Sequence, residues 1–213
     1  MKTERGVVVG NVFDKYGSKN PLARRLVDGF LASFDRCVGL SGASTATEVG
    51  CGEGELSFRL ARCGLSTRAF DISRELIAEA RSRAREENLA VEFANDDVYT
   101  FEPRDFAAEL VVCCEVLEHL SAPETALRRL AQAARTHVLL SVPQEPMWRL
   151  LNLARLRYVP ALGNTPGHVQ HWSRRRFLDL VESYFDPVCV ESPLPWTMVL
   201  ARVRVDTSPA TPA

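Results

Sequence analysis

Hydrophobic and polar positions alternate between helical and strand-like periods along this chain. Between Leu22 and Val38, large apolar residues recur every four positions, which predicts an amphipathic helix with Pro21 in its first turn. Short β-type runs follow, and helix-like segments come after the first, second and fourth of them. The predicted strands are 45–49, 66–70, 91–93, 107–114 and 136–142. Strands alternating with helices at this spacing predict an α/β fold with a single doubly wound, mostly parallel sheet.

Local signals refine these elements. The run at 107–114 is continuously apolar, so we expect a central strand that is buried on both faces. Ser73 and Ser173 are candidate N-caps, and Ser121 with Glu124 has capping-box spacing. Late strand candidates follow near Val190 and from Thr197. In the predicted helices, Leu76, Ala80 and Ala84 form one inward stripe, and Phe177, Leu180, Val181 and Tyr184 form another.

Composition bounds the class of protein. A chain of 213 residues with a net charge of −1 suits one globular domain, and its bulk charge recruits neither nucleic acid nor membrane. No signal peptide or membrane-spanning run is visible, and the six cysteines form no C-x-x-C pair. We therefore expect a cytoplasmic protein with reduced thiols. The tail at 206–213 is predicted to be disordered from its composition.

The stretch TATEVGCGEG, from Thr45 to Gly54, contains the first candidate chemistry. A strand, a glycine turn and a helix in this order form a ligand-binding turn at the carboxyl end of a strand. The glycines stand at alternate positions, and Glu55 occupies the place where a dinucleotide turn needs its third glycine. A nicotinamide dehydrogenase is therefore disfavoured. About 20 residues further on, Asp71 ends the second strand and is placed to accept hydrogen bonds from ribose hydroxyls.

The acid-x-G-x-G-x-G pattern resembles motif I of the class I S-adenosylmethionine (SAM) methyltransferases. Further markers of that family follow in order, and the resemblance covers roughly residues 42–185. It implies a seven-stranded Rossmann-like sheet with an antiparallel last strand, a helical cap or lid at 1–41 and a methyltransferase domain at 42–205. It also implies a SAM site formed by Glu48, Gly50, Cys51, Gly52, Gly54, Asp71, Ile72, Asp97, Val98 and Glu115.

A second constellation follows the fourth strand in the segment CEVLEHL. Glu115, Glu118 and His119 lie there, and His168 and His171 come after the fifth strand, so both segments open onto one sheet edge. Two carboxylates and two imidazoles suit a divalent ion such as Mg²⁺ or Mn²⁺. The pattern resembles ubiquinone-biosynthesis O-methyltransferases and small-RNA 3′-end 2′-O-methyltransferases, which implies Glu115, Glu118, His119 and His168 as metal ligands. Two alternatives stay open: a metal-free histidine base, or a structural role.

Residues 143–172 interrupt the strand–helix alternation and are predicted to form a substrate-recognition insert containing a short apolar helix. The wider segment 143–176 holds six arginines against one acid, Glu145, in a nearly neutral chain. Arginines suit anionic groups, and aromatic residues suit a ring or sugar face. The candidate substrate residues are Trp148, Arg149, Tyr158, His171 and Trp172.

The sequence thus predicts a SAM-dependent methyltransferase whose acceptor is an anionic or amphiphilic small molecule, methylated on oxygen. Glu115, His119 and His168 are the candidate catalytic residues. RNA 3′-end 2′-O-methylation and a catalytically inactive SAM-binding protein stay open as alternatives. The small insert favours a small molecule over RNA as the partner, and the pattern sets no oligomeric state.

Overall fold

A computed structural model of the chain describes residues 2–4, 7–9, 20–156 and 158–204. The predicted tail at 206–213 lies outside these residues. The helices are α1 (Pro21–Ser41), α2 (Glu55–Arg62), α3 (Arg74–Glu86), α4 (Pro123–Ala133), α5 (Met147–Ala154) and α6 (Arg174–Glu182). The strands are β1 (Lys2–Glu4), β2 (Val7–Val9), β3 (Thr45–Val49), β4 (Ser66–Asp71), β5 (Val91–Asn95), β6 (Ala108–Cys114), β7 (Ala134–Pro143), β8 (Phe185–Glu191) and β9 (Trp196–Val203).

Seven strands form the main sheet in the order β5-β4-β3-β6-β7-β9-β8. The first five strands of this order run parallel to one another, whereas β9 pairs antiparallel with both β7 and β8. The mostly parallel, doubly wound sheet with an antiparallel end is therefore confirmed. The reversal of strand order beside β3 places the carboxyl ends of β3, β4 and β6 along the edge where ligands bind in such folds.

The core lies in layers on both faces of the sheet, as the apolar run of β6 predicts. Val111 and Cys113 pack into the layer that contains α4 and α6. Leu110 and Val112, on the opposite face, pack into the layer that contains α1 and α2. All four side chains are completely buried. The central strand is therefore shielded from water on both sides, which explains why its sequence shows no alternation.

The helix starts agree with the sequence in most places. The Asn20 side chain accepts hydrogen bonds from the first turn of α1, and Ser73 and Ser173 cap α3 and α6. The predicted capping box at Ser121 is wrong. The N-cap of α4 is Ala122, which makes no side-chain cap hydrogen bond, because Pro123 at the first helical position moves the start by one residue. Ser121 Oγ instead lies 3.5 Å from Tyr99 Oη.

The buried stripe of α3 also differs from the prediction. Ile77, not Leu76, is buried together with Ala80 and Ala84. Leu76 is only half-buried. Positions three and four apart share one face of a helix, and the sheet selects the 77–80–84 row. In α6, Phe177 and Val181 are buried as predicted, whereas Leu180 and the following Tyr184 are half-buried.

The insert between β7 and α6 contains the predicted short apolar helix, observed as α5, and a 3-10 turn at Val159–Ala161. Its last part returns to the sheet, where Gln144 pairs with Trp172. Over the part of the chain that the structure describes, no helix has the length and apolar character needed to cross a bilayer.

Candidate active site

The glycine turn joins β3 to α2 with its backbone in the left-handed region. Gly50 has φ 73° and packs against Val116, which follows the end of β6. An added Cβ at Gly50 would lie 2.4 Å from Val116 Cγ2. Gly52 has φ 53°, and a Cβ there would meet nothing within 4 Å. Side chains are thus excluded at Gly50 by packing, while the space beside Gly52 is open to a ligand.

Two acids of the predicted cofactor site, one in β3 and one at the end of β4, form hydrogen bonds around this turn. Glu48 is buried in β3 and accepts a hydrogen bond from Ser57 Oγ in α2. Asp71, at the end of β4, accepts hydrogen bonds from the backbone N–H groups of Gly52 and Ser73, each at 2.9 Å. Both carboxylates therefore hold the glycine turn in place. Ile72 follows Asp71 and is half-buried at the same edge.

Cys51 and the Asp97–Val98 pair complete the predicted cofactor residues. Burial raises the pKa of the Cys51 thiol well above its ordinary value, and the charges of Glu48 and Asp71 raise it further, so this thiol stays protonated. Asp97 Oδ1 accepts from the Tyr99 N–H at 2.9 Å in the turn after β5. Val98 packs against the core layer beneath it. Asp97 therefore has a turn-forming contact beside its predicted adenine-side role.

Glu115 lies at the end of β6 with an unusual backbone conformation. Its φ is 60°, which bulky residues seldom adopt. Its Oε1 accepts from Ser141 Oγ at 3.2 Å, and its Oε2 accepts from Trp196 Nε1 at 2.5 Å. The carboxylate is thus held by residues of β7 and β9, at the junction between the glycine turn and the insert.

The structure brings Glu118, His119 and His168 together. One potential ligand atom from each lies within 4.8 Å of the others, and Glu118 and His168 are buried. Glu115, a predicted fourth ligand, is not part of this cluster. The backbone N–H groups of Val169 and Gln170 both bond to the Glu118 carbonyl, at 2.9 and 3.0 Å. These bonds attach the insert to the turn after β6 and explain how a histidine 50 positions away reaches Glu118.

Hydrogen bonding and burial orient the two imidazoles. His119 Nδ1 lies 3.0 Å from the Gly167 carbonyl, which selects the tautomer that donates from Nδ1 and has its lone pair on Nε2. Burial lowers the pKa of His168 to about 3, with smaller contributions from His119 and His171, so this imidazole is neutral near pH 7. Neutral imidazole is the form that can bind a metal or accept a proton.

The predicted substrate residues divide into two groups. Trp148 stacks over His168, with ring centroids 6.0 Å apart, and therefore adjoins the cluster. Arg149, on the same helix, is half-buried, and Tyr158 is half-buried at the 3-10 turn with φ 53°. His171 Nε2 lies 2.7 Å from Asn164 Oδ1, and Trp172 packs against Phe177 of α6. His171 therefore contacts another residue of the insert, whereas Trp172 contacts α6.

Sequence reasoning missed several residues that build this region. Asn152 and Thr165 are buried, and the Asn152 side chain donates to Gly163 O and Thr165 Oγ1 at 2.9 and 3.2 Å. Thr165 Oγ1 also accepts from Trp148 Nε1 at 2.8 Å. Trp196 contacts Glu115, as described above. No spacing pattern connects these positions, because their partners lie in other segments of the chain. Asn152, a polar residue within the apolar helix α5, was the one sequence signal.

Comparison with known proteins agrees with this geometry. The family described as a methyltransferase domain matches residues 46–137. A ubiquinone biosynthesis O-methyltransferase of Cupriavidus pinatubonensis is 29% identical over 181 residues, which cover 76% of this chain and 68% of that protein. The enzyme of the same name from Xylella fastidiosa is 37% identical over 114 residues, 52% of this chain and 45% of that protein. The chain thus spans between about half and two thirds of these relatives.

Solved structures share the fold. The magnesium protoporphyrin IX methyltransferase of Synechocystis, with bound S-adenosylhomocysteine (SAH), matches with a TM-score of 0.68 at 20% identity, covering 88% of this chain and 89% of that one. The methyltransferase domain of bacterial-CtHen1-CN matches with a TM-score of 0.64 at 18% identity, covering 84% of this chain and all of that one (100%).

The fold, the glycine turn and the matched domain define a Rossmann-like nucleotide-cofactor enzyme of the methyltransferase type. The matched domain and the shared fold support a SAM-dependent methyltransferase, as the sequence resemblance predicts, and the named relatives are O-methyltransferases.

Proposed function

We propose that the protein transfers the SAM methyl group to an oxygen of a small, anionic and amphiphilic acceptor, with a divalent cation held by Glu118, His119 and His168. The observation that carries the proposal is the convergence of these three side chains at the carboxyl edge of the sheet. The names of the relatives, O-methyltransferases, support oxygen as the methylated atom.

The donor set fits a divalent cation. One carboxylate and two imidazoles provide three ligand atoms within 4.8 Å of one another. The contact between His119 Nδ1 and the Gly167 carbonyl is the kind of outer-shell bond that orients a ligating histidine. Two nitrogen donors favour a borderline ion such as Mn²⁺ over Mg²⁺, which prefers oxygen ligands.

Methyl transfer to a hydroxyl requires that the acceptor oxygen be positioned against the methyl group and that the hydroxyl lose its proton. The sulfonium of SAM already activates the methyl group, so the chain must align the acceptor oxygen with it and exclude water. A divalent cation held by Glu118, His119 and His168 would lower the pKa of an acceptor hydroxyl. Glu115 precedes Val116, which packs on Gly50, and its carboxylate is held by Ser141 and Trp196. Trp148 of the insert stacks over the His168 ring.

The insert supports an amphiphilic acceptor. Its exposed large apolar side chains include Leu150, Leu156 and Leu162, and Leu156 is 83% exposed. Leu156 and Leu162 both have positive φ, at 53° and 49°, a conformation that costs free energy for such residues. Arg149 and Arg155 lie among them on and after α5. Apolar side chains with neighbouring arginines suit a ligand that has both a hydrocarbon part and an anionic group.

A metal-dependence assay tests this function. Chelator-treated protein would be supplied with SAM and with 3,4-dihydroxybenzoate, either alone or bearing an alkyl chain on the ring. We expect methyl transfer to return with Mn²⁺, less well with Mg²⁺, and to be faster for the chain-bearing acceptor. Glu118→Gln should lower the response to Mn²⁺. Full turnover without any metal would contradict the proposed cation, and a preference for the chain-free acid would contradict the amphiphilic acceptor.

A further inference from the structure

Trp196 makes a long-range side-chain contact with Glu115. Its indole Nε1 donates to Glu115 Oε2 at 2.5 Å, across 81 positions of sequence. An indole N–H can only donate, and an ionised carboxylate can only accept, so this pair has one possible polarity. A bond to a charged acceptor is also stronger than one between neutral groups.

The same indole is fixed by its packing. Trp196 is 5% exposed and begins β9. Its ring meets Phe30 of α1 edge-on, with centroids 5.1 Å apart, and lies 5.7 Å from the ring of Trp148 in α5. Helices from two separate segments therefore hold the donor, and rotation of the indole would disturb both contacts.

The acceptor has a constrained backbone. Glu115 retains φ 60°, and Val116 next to it packs directly on Gly50 of the cofactor turn. Residues in such conformations persist where the surroundings determine them, and they cluster at active sites. The second oxygen, Oε1, accepts from Ser141 Oγ at 3.2 Å. Both carboxylate oxygens are thus held from the β7–β9 side of the site.

We propose that Trp196 is a positioning residue for methyl transfer, acting through Glu115. Its N–H holds the Glu115 carboxylate in one orientation at the junction between the glycine turn and the acceptor side. Its ring also packs on Trp148, which covers His168. The inference rests on the proposed function, in which Glu115 belongs to the site of methyl transfer. It adds Trp196 of β9, which belongs to no sequence motif, to that site.

A double-mutant cycle tests whether Trp196 acts through the carboxylate. Trp196→Phe keeps an aromatic ring and removes the donor, and we expect kcat to fall roughly 10-fold, as for loss of one charge-assisted bond. Its SAH affinity should stay within about twofold of the wild-type value. In a Glu115→Ala background, the same substitution should change kcat by less than about twofold. Equal losses in both backgrounds would mean a purely structural role and would overturn the proposal.

Phe30→Leu serves as the packing control. It removes the edge contact on the Trp196 ring and leaves the indole N–H in place. We expect a smaller fall in kcat than for Trp196→Phe, with a comparable or greater fall in thermal stability. If Phe30→Leu lowers kcat as much as Trp196→Phe, ring packing and not the hydrogen bond is responsible.

A spectroscopic measurement tests the pair without any acceptor. The protein has three tryptophans, so a ¹H–¹⁵N spectrum shows three indole N–H resonances, each assigned by a Trp→Phe variant. Glu115→Ala should move the Trp196 resonance upfield and leave that of Trp148 in place. Thr165→Val, which removes the partner of Trp148 Nε1, should do the reverse.

The double-mutant cycle and the indole spectrum separate the inference from the proposed function. If no acceptor is methylated, the proposed function fails, while the indole spectrum still reports whether Trp196 binds Glu115. If Glu115→Ala leaves the Trp196 resonance unchanged, the pair does not form and the inference fails whatever the activity. If the resonance moves but Glu115→Ala leaves kcat unchanged, the pair is structural, and the positioning role is contradicted.

Discussion

The candidate active site has a predicted cofactor side and a proposed acceptor side, and the two are constructed differently. On the cofactor side, the glycine turn, Glu48 and Asp71 come from adjacent βα units, and each is held by neighbours within about one unit of sequence. On the acceptor side, Glu118, His168 and Trp196 come from three segments far apart in the chain. The cofactor side is therefore a local motif, whereas the acceptor side is assembled by tertiary contacts.

This difference has a consequence for function. A local turn can be retained while the acceptor side changes, because the hydrogen bonds that hold the turn come from its own βα units. The main connections are Val116 on Gly50 and the Glu115 carboxylate bound to Trp196. Substitutions should therefore separate cofactor binding from methyl transfer, except at the contact of Val116 with Gly50.

The largest effect is expected at Gly50. Gly50→Ala places a Cβ within 2.4 Å of Val116 Cγ2 at φ 73°, so the turn must shift. We expect SAH affinity to fall by at least about 100-fold, measured by calorimetric titration. Gly39→Ala in α1 is the control, because an added Cβ there meets nothing within 4 Å. Unchanged affinity in Gly50→Ala would show that the turn does not bind the cofactor.

His168→Ala should affect the acceptor side alone. Because His168 contributes to the proposed cation site and not to the glycine turn, kcat should fall by about 10- to 100-fold, with SAH affinity retained. Steady-state kinetics and calorimetry on the same preparation check this. A parallel loss of SAH affinity would contradict the independence of the two sides.

Asn152→Ala tests how the insert is held. The substitution removes hydrogen bonds to Gly163 O and Thr165 Oγ1 from a buried position. We expect the free energy of unfolding to fall by about 1–3 kcal/mol, measured by thermal unfolding. We also expect faster proteolysis within the insert. The exposed Gln132→Ala in α4 should have neither effect. Equal proteolysis rates would mean that other contacts hold the insert.

The smallest effect is expected at the sheet edge, where Glu191 ends β8. The hydrogen bond from Arg36 lowers the pKa of Glu191. A carboxyl with a lowered folded-state pKa stabilises the protein above its unfolded pKa, and that stability is lost as pH falls through the folded pKa. Arg36→Ala should therefore be slightly less stable than wild type at pH 7. The difference should vanish in acid; one that persists below pH 3 would contradict this origin.

The sequence predicted the elements around the glycine turn better than it predicted the contacts of Trp196. The glycine spacing and Asp71 mark their positions by local pattern, and the apolar run of β6 marks the central strand, since each depends on near neighbours. No local pattern indicates a role for Trp196, because its hydrogen-bond partner, Glu115, lies 81 residues away in the sequence. The helix starts show the same limit: Ser121 matched a capping pattern, but Pro123 moved the start of α4. The cluster of Glu118, His119 and His168 could be predicted from the sequence resemblance and the expected topology, whereas the contact of Trp196 with Glu115 required the structure.

Direct binding of Mn²⁺ tests the central claim most simply. Electron paramagnetic resonance of free Mn²⁺, titrated with chelator-treated protein, counts the bound ions without any acceptor. We predict one site that is lost in Glu118→Gln and His168→Ala and kept in His137→Ala, which changes a histidine beside Thr136, outside the cluster. No binding by the wild-type protein, or equal binding by His168→Ala, would contradict a cation held by Glu118, His119 and His168.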